Sequence, residues 1–338
     1  MKNQIGKIAF TIREDKMAVQ EFYVQIIFKS LESTGYTCKF YDSIEAALVE
    51  PKSSLYVSIS HYYTLKMYLK GYKKQLYWVQ GSSPDESFMR NHSYIRKFFI
   101  SCIELFALEK AKYIFMVSQG MLNHYKKKYH KDYSYKTYVM PCYNDKIELA
   151  HFKTPNKYEN NVFCYVGGLS VWQCFPETVA FYKSIEDKIP NAEFRVFTPD
   201  VDKAIQIMEE FGLKRYSAKF VKSDELSKEL AECKFGFILR AKSPVNYVAT
   251  PTKLSNYLAS GLIPIVSDSV EYFNEILKDC KYAVILSENS DTKKVIDLAL
   301  QKAEESKLFI EYSEIFNKYY NDEYHAANIS KKISDLKF

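Results

Sequence analysis

The sequence predicts an α/β protein with two doubly wound domains, each built on a parallel sheet, that face each other across a cleft. Short apolar runs alternate with amphipathic segments of helical period, and this alternation occurs twice along the 338 residues. Strands separated by helices of this length form parallel sheets with right-handed crossovers. Because ligands of such sheets bind beyond the carboxyl ends of the strands, functional residues are expected directly after strands.

Each half of the chain supplies six predicted strands. Those of the first half are residues 7–13, 37–41, 55–60, 75–80, 113–118 and 137–140. Those of the second half are residues 162–166, 193–197, 218–221, 235–239, 263–266 and 283–286. Amphipathic helices fill the gaps, most clearly at 17–33 and 93–110, and Pro176 and Pro251 stand where a first helical turn tolerates proline.

These elements divide into an N-terminal domain, residues 1–150, and a C-terminal domain, residues 151–310. Residues 311–338 are predicted to form helices that pack back on the first domain. The polar segment 144–161 has no strong periodicity and is predicted to be the linker.

The composition indicates a cytoplasmic protein. Seven cysteines are scattered without C-x-x-C spacing, and their apolar surroundings favour buried free thiols in a reducing compartment. The N-terminus is too polar for a signal peptide, and no apolar run reaches the roughly 18 residues of a membrane span.

Positive charge is concentrated in the first half of the chain. Residues 1–150 contain 22 Lys and Arg against 14 Asp and Glu, and the remainder contains 25 against 27. Within residues 51–136 the counts are 15 and 5, with tyrosines and Trp78 between the basic residues. Such a patch could attract an anionic membrane surface or a phosphate-bearing substrate, or its lysines could be solvated on helix faces. The lysines concerned include Lys66, Lys70, Lys73, Lys74 and residues 126–128.

The most informative segment is FILRAKSPVNYVATPTKLSNYLASGLIPIVS, residues 237–267. It predicts a buried strand ending at Arg240, a polar loop, a helix opening at Thr250 and Pro251, and a helix stop at Gly261. A helix N-terminus offers free N–H groups to an anion, and Lys253 and a threonine cap at Thr250 or Thr252 would complete the site. An ordinary capped helix that binds nothing is the alternative.

This segment resembles the donor-binding region of family 4 glycosyltransferases, whose pattern is P-[ST]-K-[LF]-x-E-Y-L-A-x-G-x-P-[VI]-[VI]. The matches are PTKL at 251–254, YLA at 257–259, Gly261 and PIV at 264–266. Asn256 replaces the glutamate that reaches the donor ribose, and one residue is added before Pro264. The family's earlier glutamate falls near Val248, so Asn246 and Arg240 are candidates for its role.

A second match, FCYVGGLSVWQ at residues 163–173, opens the second domain. Two glycines after a strand, Gly167 and Gly168, let the backbone approach a ligand closely. In the family this turn leads to a basic pair that clamps the diphosphate, but the matching positions here are Gly168 and Gln173. The resemblance therefore assigns diphosphate neutralisation to Arg240 and Lys253. A glycine turn required only for packing is the alternative.

The first domain contributes weaker matches. YWVQGSSPDES, residues 77–87, resembles the strand and loop that face donor sugar and acceptor, with Gln80, Gly81 and Glu86 as candidates. A purely structural turn is the alternative for this loop.

Three further positions in the first domain are site candidates. Residues 107–118 resemble the family's helix followed by a strand ending in Val-Ser, so Ser118 is expected to face the cleft. His61 ends a strand and would hydrogen-bond a sugar hydroxyl or serve a structural role. The loop after the first strand has no glycine pair, and Arg13 or Lys16 would touch acceptor or phosphate there.

One pair of carboxylates invites comparison with a metal site. Asp200 and Asp202 are spaced like the metal-binding pair of the other major glycosyltransferase fold. Here they follow a strand and open a helix, so capping and the helix dipole explain them. No metal site is predicted, and no cofactor beyond a nucleoside-diphosphate sugar as co-substrate.

The resemblance implies a GT-B fold with two Rossmann-like domains and a metal-independent hexosyltransferase that retains anomeric configuration. The donor sugar nucleotide would bind mainly to the second domain, and a glycan or lipid-linked saccharide acceptor of surface polysaccharide synthesis to the first. The residues assigned to catalysis are Arg240, Lys253, Glu86 and His61. The basic first domain suits a peripheral enzyme at the inner face of a membrane.

Other functions stay open at this point. A sugar-nucleotide epimerase can share the fold, but no acid/base pair is evident. A nucleic-acid-binding protein would suit the positive patch, but no recognition motif accompanies it, and nucleic acid is not the expected partner. A catalytically degenerate relative of the transferases would explain the depleted diphosphate clamp.

Overall fold

The computed structural model describes residues 7–13, 20–287 and 292–335. The chain divides into two compact units, one made of Met1–Cys142 with Asn321–Phe338 and the other of Tyr143–Tyr320.

The first unit alternates strands and helices. In chain order its elements are β1 (Lys7–Ile12), α1 (Glu21–Glu32), β2 (Tyr36–Tyr41), α2 (Ile44–Ala47), β3 (Leu55–Ser58), α3 (His61–Leu69), β4 (Gln75–Val79), α4 (Ser83–Asn91), α5 (Tyr94–Lys110), β5 (Tyr113–Met116), α6 (Gln119–Tyr129) and β6 (Thr137–Val139).

The second unit continues the same alternation. Its elements are α7 (Leu149–Phe152), β7 (Val162–Val166), α8 (Phe175–Glu186), β8 (Glu193–Phe197), α9 (Val201–Glu210), β9 (Tyr216–Lys219), α10 (Leu226–Ala231), β10 (Phe235–Ile238), α11 (Pro244–Val248), α12 (Lys253–Ala259), β11 (Ile263–Ser267), α13 (Glu271–Ile276), β12 (Val284–Leu286), α14 (Lys293–Leu300) and α15 (Glu305–Tyr319). The last helix, α16 (Asp322–Ser334), belongs to the first unit.

Each unit is built on one parallel sheet of six described strands. The order is β2-β1-β3-β4-β5-β6 in the first unit and β12-β11-β10-β7-β8-β9 in the second. The chain reverses direction across the sheet between β1 and β3 in the first unit and between β7 and β10 in the second. These reversals are where doubly wound sheets bind ligands, at the carboxyl ends of the strands.

All twelve predicted strands are present, within about two residues of the predicted bounds. Central strands such as β4 and β10 are buried along their whole length, which is why they read as unbroken apolar runs. The strand predicted at 218–221 lies instead at Tyr216–Lys219. It is an edge strand with an alternating burial pattern, so its apolar signal is weak.

Helix α12 is held unusually close to β10. A Cβ at Gly236 would lie 2.5 Å from the ring of Tyr257, and the hydroxyl of Tyr257 donates to the carbonyl of Phe237 at 3.2 Å. Gly261, with a φ of +73°, ends this helix as predicted. This close packing fixes the position of Lys253, the first residue of α12.

The segment 144–161, predicted to be a linker, belongs to the second unit and packs within it. Phe152 is fully buried, and the hydroxyl of Tyr158 donates to the carbonyl of Gly261 at 3.0 Å. Its few aromatic side chains do not form a periodic pattern, so their burial was not predictable from the sequence.

The C-terminal helix α16 packs on α1 within the first unit. The hydroxyls of Ser33 and Ser330 lie 2.7 Å apart, and the hydroxyl of Tyr138 lies 2.9 Å from Nδ1 of His325.

Several side chains depart from their predicted settings. Trp78 is 1% exposed in β4 and contributes nothing to the surface charge patch. Cys102 is exposed, against the prediction of burial, whereas Cys164, Cys174 and Cys233 are buried as predicted. Among the described residues, no helix is long and apolar enough to cross a membrane.

Candidate functional site

The first strand of the second sheet ends at a turn that requires glycine at one position. Gly167 has a φ of +111°, a conformation that L side chains rarely adopt. A Cβ at Gly167 would lie 2.9 Å from Cε and 3.1 Å from Nζ of Lys253. A Cβ at Gly168 would meet nothing closer than Oδ2 of Asp200 at 3.7 Å. The space above Gly167 is therefore occupied by the end of the Lys253 side chain.

Lys253 is buried among neutral groups. It is 8% exposed, its Nζ donates to Oε1 of Gln173 at 2.8 Å, and it lies 4.2 Å from the ring centroid of Tyr165. Burial, and then the charge of Arg240, lower the pKa of Lys253 well below its ordinary value. The side chain of Gln173 is not cationic, but its hydrogen bond orients Lys253.

Arg240 follows β10 and is also 8% exposed. Its backbone is fixed by Ser267 and Ser269: the Arg240 amide donates to Ser267 Oγ at 2.6 Å, and its carbonyl accepts from Ser269 Oγ at 2.8 Å. Burial lowers the pKa of Arg240, and the neighbouring Tyr165 partly offsets this. Within the described residues, Nη1 of Arg240 has no hydrogen-bond partner.

Arg240 and Lys253 form a pair of buried cations that share Tyr165 as a neighbour. In the part of the chain that the structure describes, neither has a carboxylate within 4.0 Å. Burying charge without a counter-ion is unfavourable. They lie at the carboxyl edge of the sheet, where β7 and β10 meet at the reversal of strand order. An anion bound there would relieve the repulsion between them.

A pocket of about 480 Å³, hereafter the Arg240 pocket, is lined by Arg240. Its lining comes from the end of β11 and the residues after it, from the end of β12 and from side chains of α8; it includes Ser267, Asp268, Ser269, Leu286, Glu177 and Phe181. These residues were not predicted from the sequence. The rule that ligands bind after strand ends could have found those that follow the predicted strands 263–266 and 283–286.

Two asparagines predicted to bind the donor are engaged elsewhere. Nδ2 of Asn246 donates to the carbonyl of Ala241 at 2.9 Å and braces the loop after Arg240. Nδ2 of Asn256 donates to Oδ2 of Asp145 at 3.4 Å. Both side chains are at least nine-tenths buried.

The predicted start of helix α12 was wrong. The helix begins at Lys253, so Pro251 precedes it, and Thr252 has a helical backbone with no capping bond from its side chain. Pro176, by contrast, lies in the first turn of α8 as predicted. A threonine whose backbone is already helical cannot direct its hydroxyl at the next free amides in the usual way.

Asp200 precedes α9 but does not cap it. Its Oδ2 accepts from the backbone amide of Leu169 at 3.2 Å, across the glycine turn, whereas Asp202 lies in the first helical turn. Asp200 therefore fixes the turn rather than the helix. The described residues contain no group of three or more His, Cys, Asp and Glu side chains that could hold a metal.

In the first unit, His61 begins α3 directly after β3. It is 6% exposed, and within the described residues its Nε2 has no hydrogen-bond partner. Burial, and then the charge of Lys128, lower the pKa of His61 to about 4. The side chain is thus neutral at pH 7 and retains one unused polar atom.

The loop after β4 is shaped by its own residues. Oε1 of Gln80 accepts from Nε2 of Gln20 at 2.9 Å. A Cβ at Gly81 would lie 2.5 Å from Oε1 of Glu86, so this glycine gives the carboxylate room. Glu86 also lies 3.5 Å from Nη2 of Arg90.

Two other predicted positions have structural partners. Ser118 is 1% exposed and caps α6, its Oγ accepting from the amide of Met121 at 3.0 Å. Arg13 pairs with Glu21 at 3.3 Å and with Asp42 at 3.1 Å. Lys16 lies outside the described residues.

A second pocket, of about 400 Å³, contains His61 and is hereafter the His61 pocket. Its polar lining includes Ser83, Ser87, Arg90 and Arg96, from α4 and the start of α5. None of these four was predicted as a site residue: Ser83 and Ser87 lie in the segment 77–87, and Arg90 and Arg96 lie in no motif. Gln80, Gly81 and Ser118 lie at the same carboxyl edge of the sheet, after β4 and β5.

Neither known protein-family models nor curated protein sequences match this chain. Solved structures match it along nearly its whole length. HepE of Anabaena in complex with UDP has a TM-score of 0.69 at 11% identity, covering 98% of this chain and 100% of HepE. A glycosyltransferase of Rickettsia africae ESF-5 has a TM-score of 0.65 at 12% identity, covering 98% and 99%.

A third neighbour is the α,α-trehalose-phosphate synthase (UDP-forming) of Burkholderia vietnamiensis. Its TM-score is 0.59 at 10% identity, covering 96% of this chain and 80% of the synthase. The fold class predicted from the sequence is confirmed: with two six-stranded parallel sheets and these neighbours, the chain has the GT-B glycosyltransferase fold.

Proposed function

We propose that this protein transfers a sugar from a nucleoside-diphosphate sugar to a glycan or lipid-linked saccharide acceptor. The observation that carries the proposal is the pair of buried cations, Arg240 and Lys253, at the carboxyl edge of a doubly wound sheet, with a pocket that Arg240 lines. A diphosphate supplies the charge that the pair needs. The similarity to HepE supports the same class of ligand, because structures of HepE contain UDP and UDP-glucose.

The geometry of the second unit supports one position for the donor. The diphosphate lies beside the turn at Gly167, within reach of Lys253 and Arg240, and the nucleoside enters the Arg240 pocket. Phe181 and Leu286 offer apolar surface to the base, and the carboxylate of Glu177 offers an acceptor to ribose hydroxyls. Glu177 thereby takes the role that the resemblance gave to Asn256.

Transfer then depends on stabilising the leaving group. The bond between the anomeric carbon and the diphosphate oxygen breaks, and its electron pair goes to the diphosphate, where the two cations stabilise it. The acceptor hydroxyl bonds to the anomeric carbon on the same face, and its proton passes to a phosphate oxygen of the leaving diphosphate. The proposal is thus retaining, metal-independent hexosyl transfer of the family 4 type, with Arg240 and Lys253 supplying the positive charge.

The acceptor side is proposed to meet an anionic membrane, as in synthesis of surface polysaccharide from lipid-linked intermediates. The apolar face of α5 supports this: Tyr94, Ile95, Phe98 and Phe99 are 75%, 74%, 65% and 62% exposed. Arg96 is on the same helix, and the neighbouring α3 exposes Lys66 and Lys70. Exposed aromatic residues flanked by cations are typical of helices that bind at a charged lipid surface.

A thermal-shift panel tests the donor assignment. Nucleoside diphosphates and their sugar conjugates, UDP and UDP-glucose first, are added with and without Mg²⁺ to wild type, Lys253→Ala and the exposed control Lys203→Ala. At 100 times its Kd, a ligand stabilises the folded state by about 2.7 kcal/mol. We expect one nucleotide to raise the Tm without Mg²⁺ in wild type and Lys203→Ala but not in Lys253→Ala. No shift with any nucleotide would indicate a degenerate relative.

Vesicle flotation tests the membrane assignment separately. We expect wild type to float with vesicles rich in phosphatidylglycerol and not with phosphatidylcholine alone. Phe98→Ser with Phe99→Ser should abolish flotation, whereas Phe220→Ser, which changes a phenylalanine 63% exposed in the second unit, should not. Equal flotation of all three proteins, or none with wild type, would contradict the assignment.

A further inference from the structure

The His61 pocket contains two buried polar atoms that the protein leaves unused. His61 and Ser87 are each 6% exposed and line the pocket. Within the described residues, neither Nε2 of His61 nor Oγ of Ser87 has a hydrogen-bond partner. Buried polar groups are nearly always paired, so two unpaired groups in one pocket indicate a polar ligand.

Two arginines add positive charge to the polar lining, which also includes Ser83 and Asn91. Arg90 and Arg96 both reach the pocket, and Arg96 forms no ion pair with another described residue. The guanidinium of Arg90 is exposed at the rim and lies 3.5 Å from the half-buried Glu86. Two arginines, a serine hydroxyl and a neutral imidazole suit a ligand with several acceptor oxygens and negative charge.

Two helices begin at this pocket. His61 opens α3 and Ser83 opens α4, each helix is nine residues long, and neither has a side-chain capping bond at its N-terminus. Their first backbone amides add further donors and the positive end of each helix dipole. The pocket lies after β3 and β4, next to the point where the strand order of the first sheet reverses.

Nearby carboxylates are already neutralised by other cations. Asp85 lies 2.7 Å from Lys97, 3.6 Å from His124 and 3.7 Å from Lys128, and Glu104 lies 2.8 Å from Lys128. None of these pairs uses Arg96, whereas the charge of Arg90 is partly offset by Glu86, 3.5 Å away.

We propose that the His61 pocket binds a phosphate ester, and that it holds the phosphate of a phosphate-bearing acceptor. The identification of this ligand as the acceptor rests on the proposed function. Phosphate binding by the first unit does not depend on that function. The volume of about 400 Å³ admits a phosphate together with an attached sugar. Arg96 and Arg90 bind the phosphate oxygens at the rim of the pocket. His61 and Ser87 form hydrogen bonds with the phosphate oxygens inside it.

Histidine NMR on the full chain tests this. Protein labelled at the imidazole carbons is titrated with inorganic phosphate, glucose 1-phosphate and potassium chloride at equal ionic strength, and His61→Asn assigns the His61 signal. We expect saturable shifts of the His61 signal with both phosphates and none with chloride. Arg96→Gln should weaken glucose 1-phosphate binding at least tenfold, while Lys110→Gln, at the far end of α5, should leave it unchanged.

Two further arms separate the sources of phosphate and the two proposals. Phosphatidate in phosphatidylcholine nanodiscs competing with glucose 1-phosphate would assign the pocket to a phosphate lipid; no competition would assign it to a soluble phosphate ester. UDP affinity is measured on the same samples. UDP binding without any phosphate-induced shift of His61, or equal phosphate affinity of wild type and Arg96→Gln, overturns this inference alone. Phosphate binding without binding of any nucleotide would leave it standing while the donor assignment fails.

Discussion

Replacing Gly167 with alanine should impair both folding stability and UDP binding, whereas the same change at Gly168 should impair neither. The two glycines are adjacent in one turn, so the pair is a matched experiment. Gly167 combines a φ of +111° with a would-be Cβ only 2.9 Å from Cε of Lys253. Gly168 has neither feature, since the nearest atom to its Cβ would be 3.7 Å away.

The expected effect of Gly167→Ala has two parts, a loss of folding stability and a loss of UDP affinity. An alanine held in this backbone conformation costs roughly 1–3 kcal/mol. The contact with Lys253 is relieved when the flexible end of the lysine moves, which breaks its 2.8 Å bond to Gln173 and takes the ammonium away from the diphosphate. Loss of a hydrogen bond to a charged group costs about 1.5–3 kcal/mol, or roughly 10- to 150-fold in Kd.

Isothermal titration with UDP and urea unfolding without ligand measure the two parts separately. For Gly168→Ala we expect the free energy of UDP binding and the free energy of unfolding each to stay within about 0.5 kcal/mol of wild type. Substitutions away from packed or strained positions usually have effects of this size. If Gly167→Ala binds UDP as tightly as wild type, or if Gly168→Ala is equally harmful, the role assigned to the Lys253 position is wrong.

Three other predictions concern buried titratable groups. Lys253→Met or Arg240→Met should raise the unfolding free energy of the unliganded protein by about 1 kcal/mol or more, because one uncompensated buried charge is removed, while UDP titration should show binding lost. Because the folded pKa of His61 is about 4, against about 6.5 unfolded, the folded state binds fewer protons between these values. Stability from this group is therefore lost as pH falls from 6.5 to 4, by up to about 1.4 kcal/mol per pH unit, and urea titrations should show a smaller pH slope in His61→Asn. Lys136→Met should lower the unfolding free energy by about 2–3 kcal/mol, because Nζ bonds three carbonyls at the end of α5, whereas the exposed control Lys112→Met should not; equal urea midpoints would contradict this.

The proposed donor site was predictable in part. Arg240, Lys253 and Gly167 were identified because they follow buried strands or open a helix, and such positions are visible in the order of apolar and polar residues. Asn246 and Asn256 were assigned to the donor by resemblance, but they hydrogen-bond Ala241 and Asp145 instead. An asparagine side chain can bond in many directions, and its partner depends on packing that the local sequence does not encode.

The His61 pocket shows the opposite case. Ser87, Arg90 and Arg96 lie on two helices with no motif in common, and they reach His61 because α5 packs against both α3 and α4. Lys136 similarly belongs to the basic residues counted within 51–136, and nothing in the local sequence indicates its burial. In the structure it is 7% exposed and caps a helix. Long-range packing of this kind leaves no periodic signal.

By itself the sequence determined the strands, the α/β class and the carboxyl-edge positions of the residues proposed to bind the donor. Burial of parallel strands on both faces forces continuous apolar runs, and those runs are local. Only the tertiary structure decided the order of the strands in each sheet, the burial of Arg240 beside Lys253, and the grouping of His61 with two arginines. These depend on contacts between residues distant in the chain, whose free energies arise from packing and charge in three dimensions.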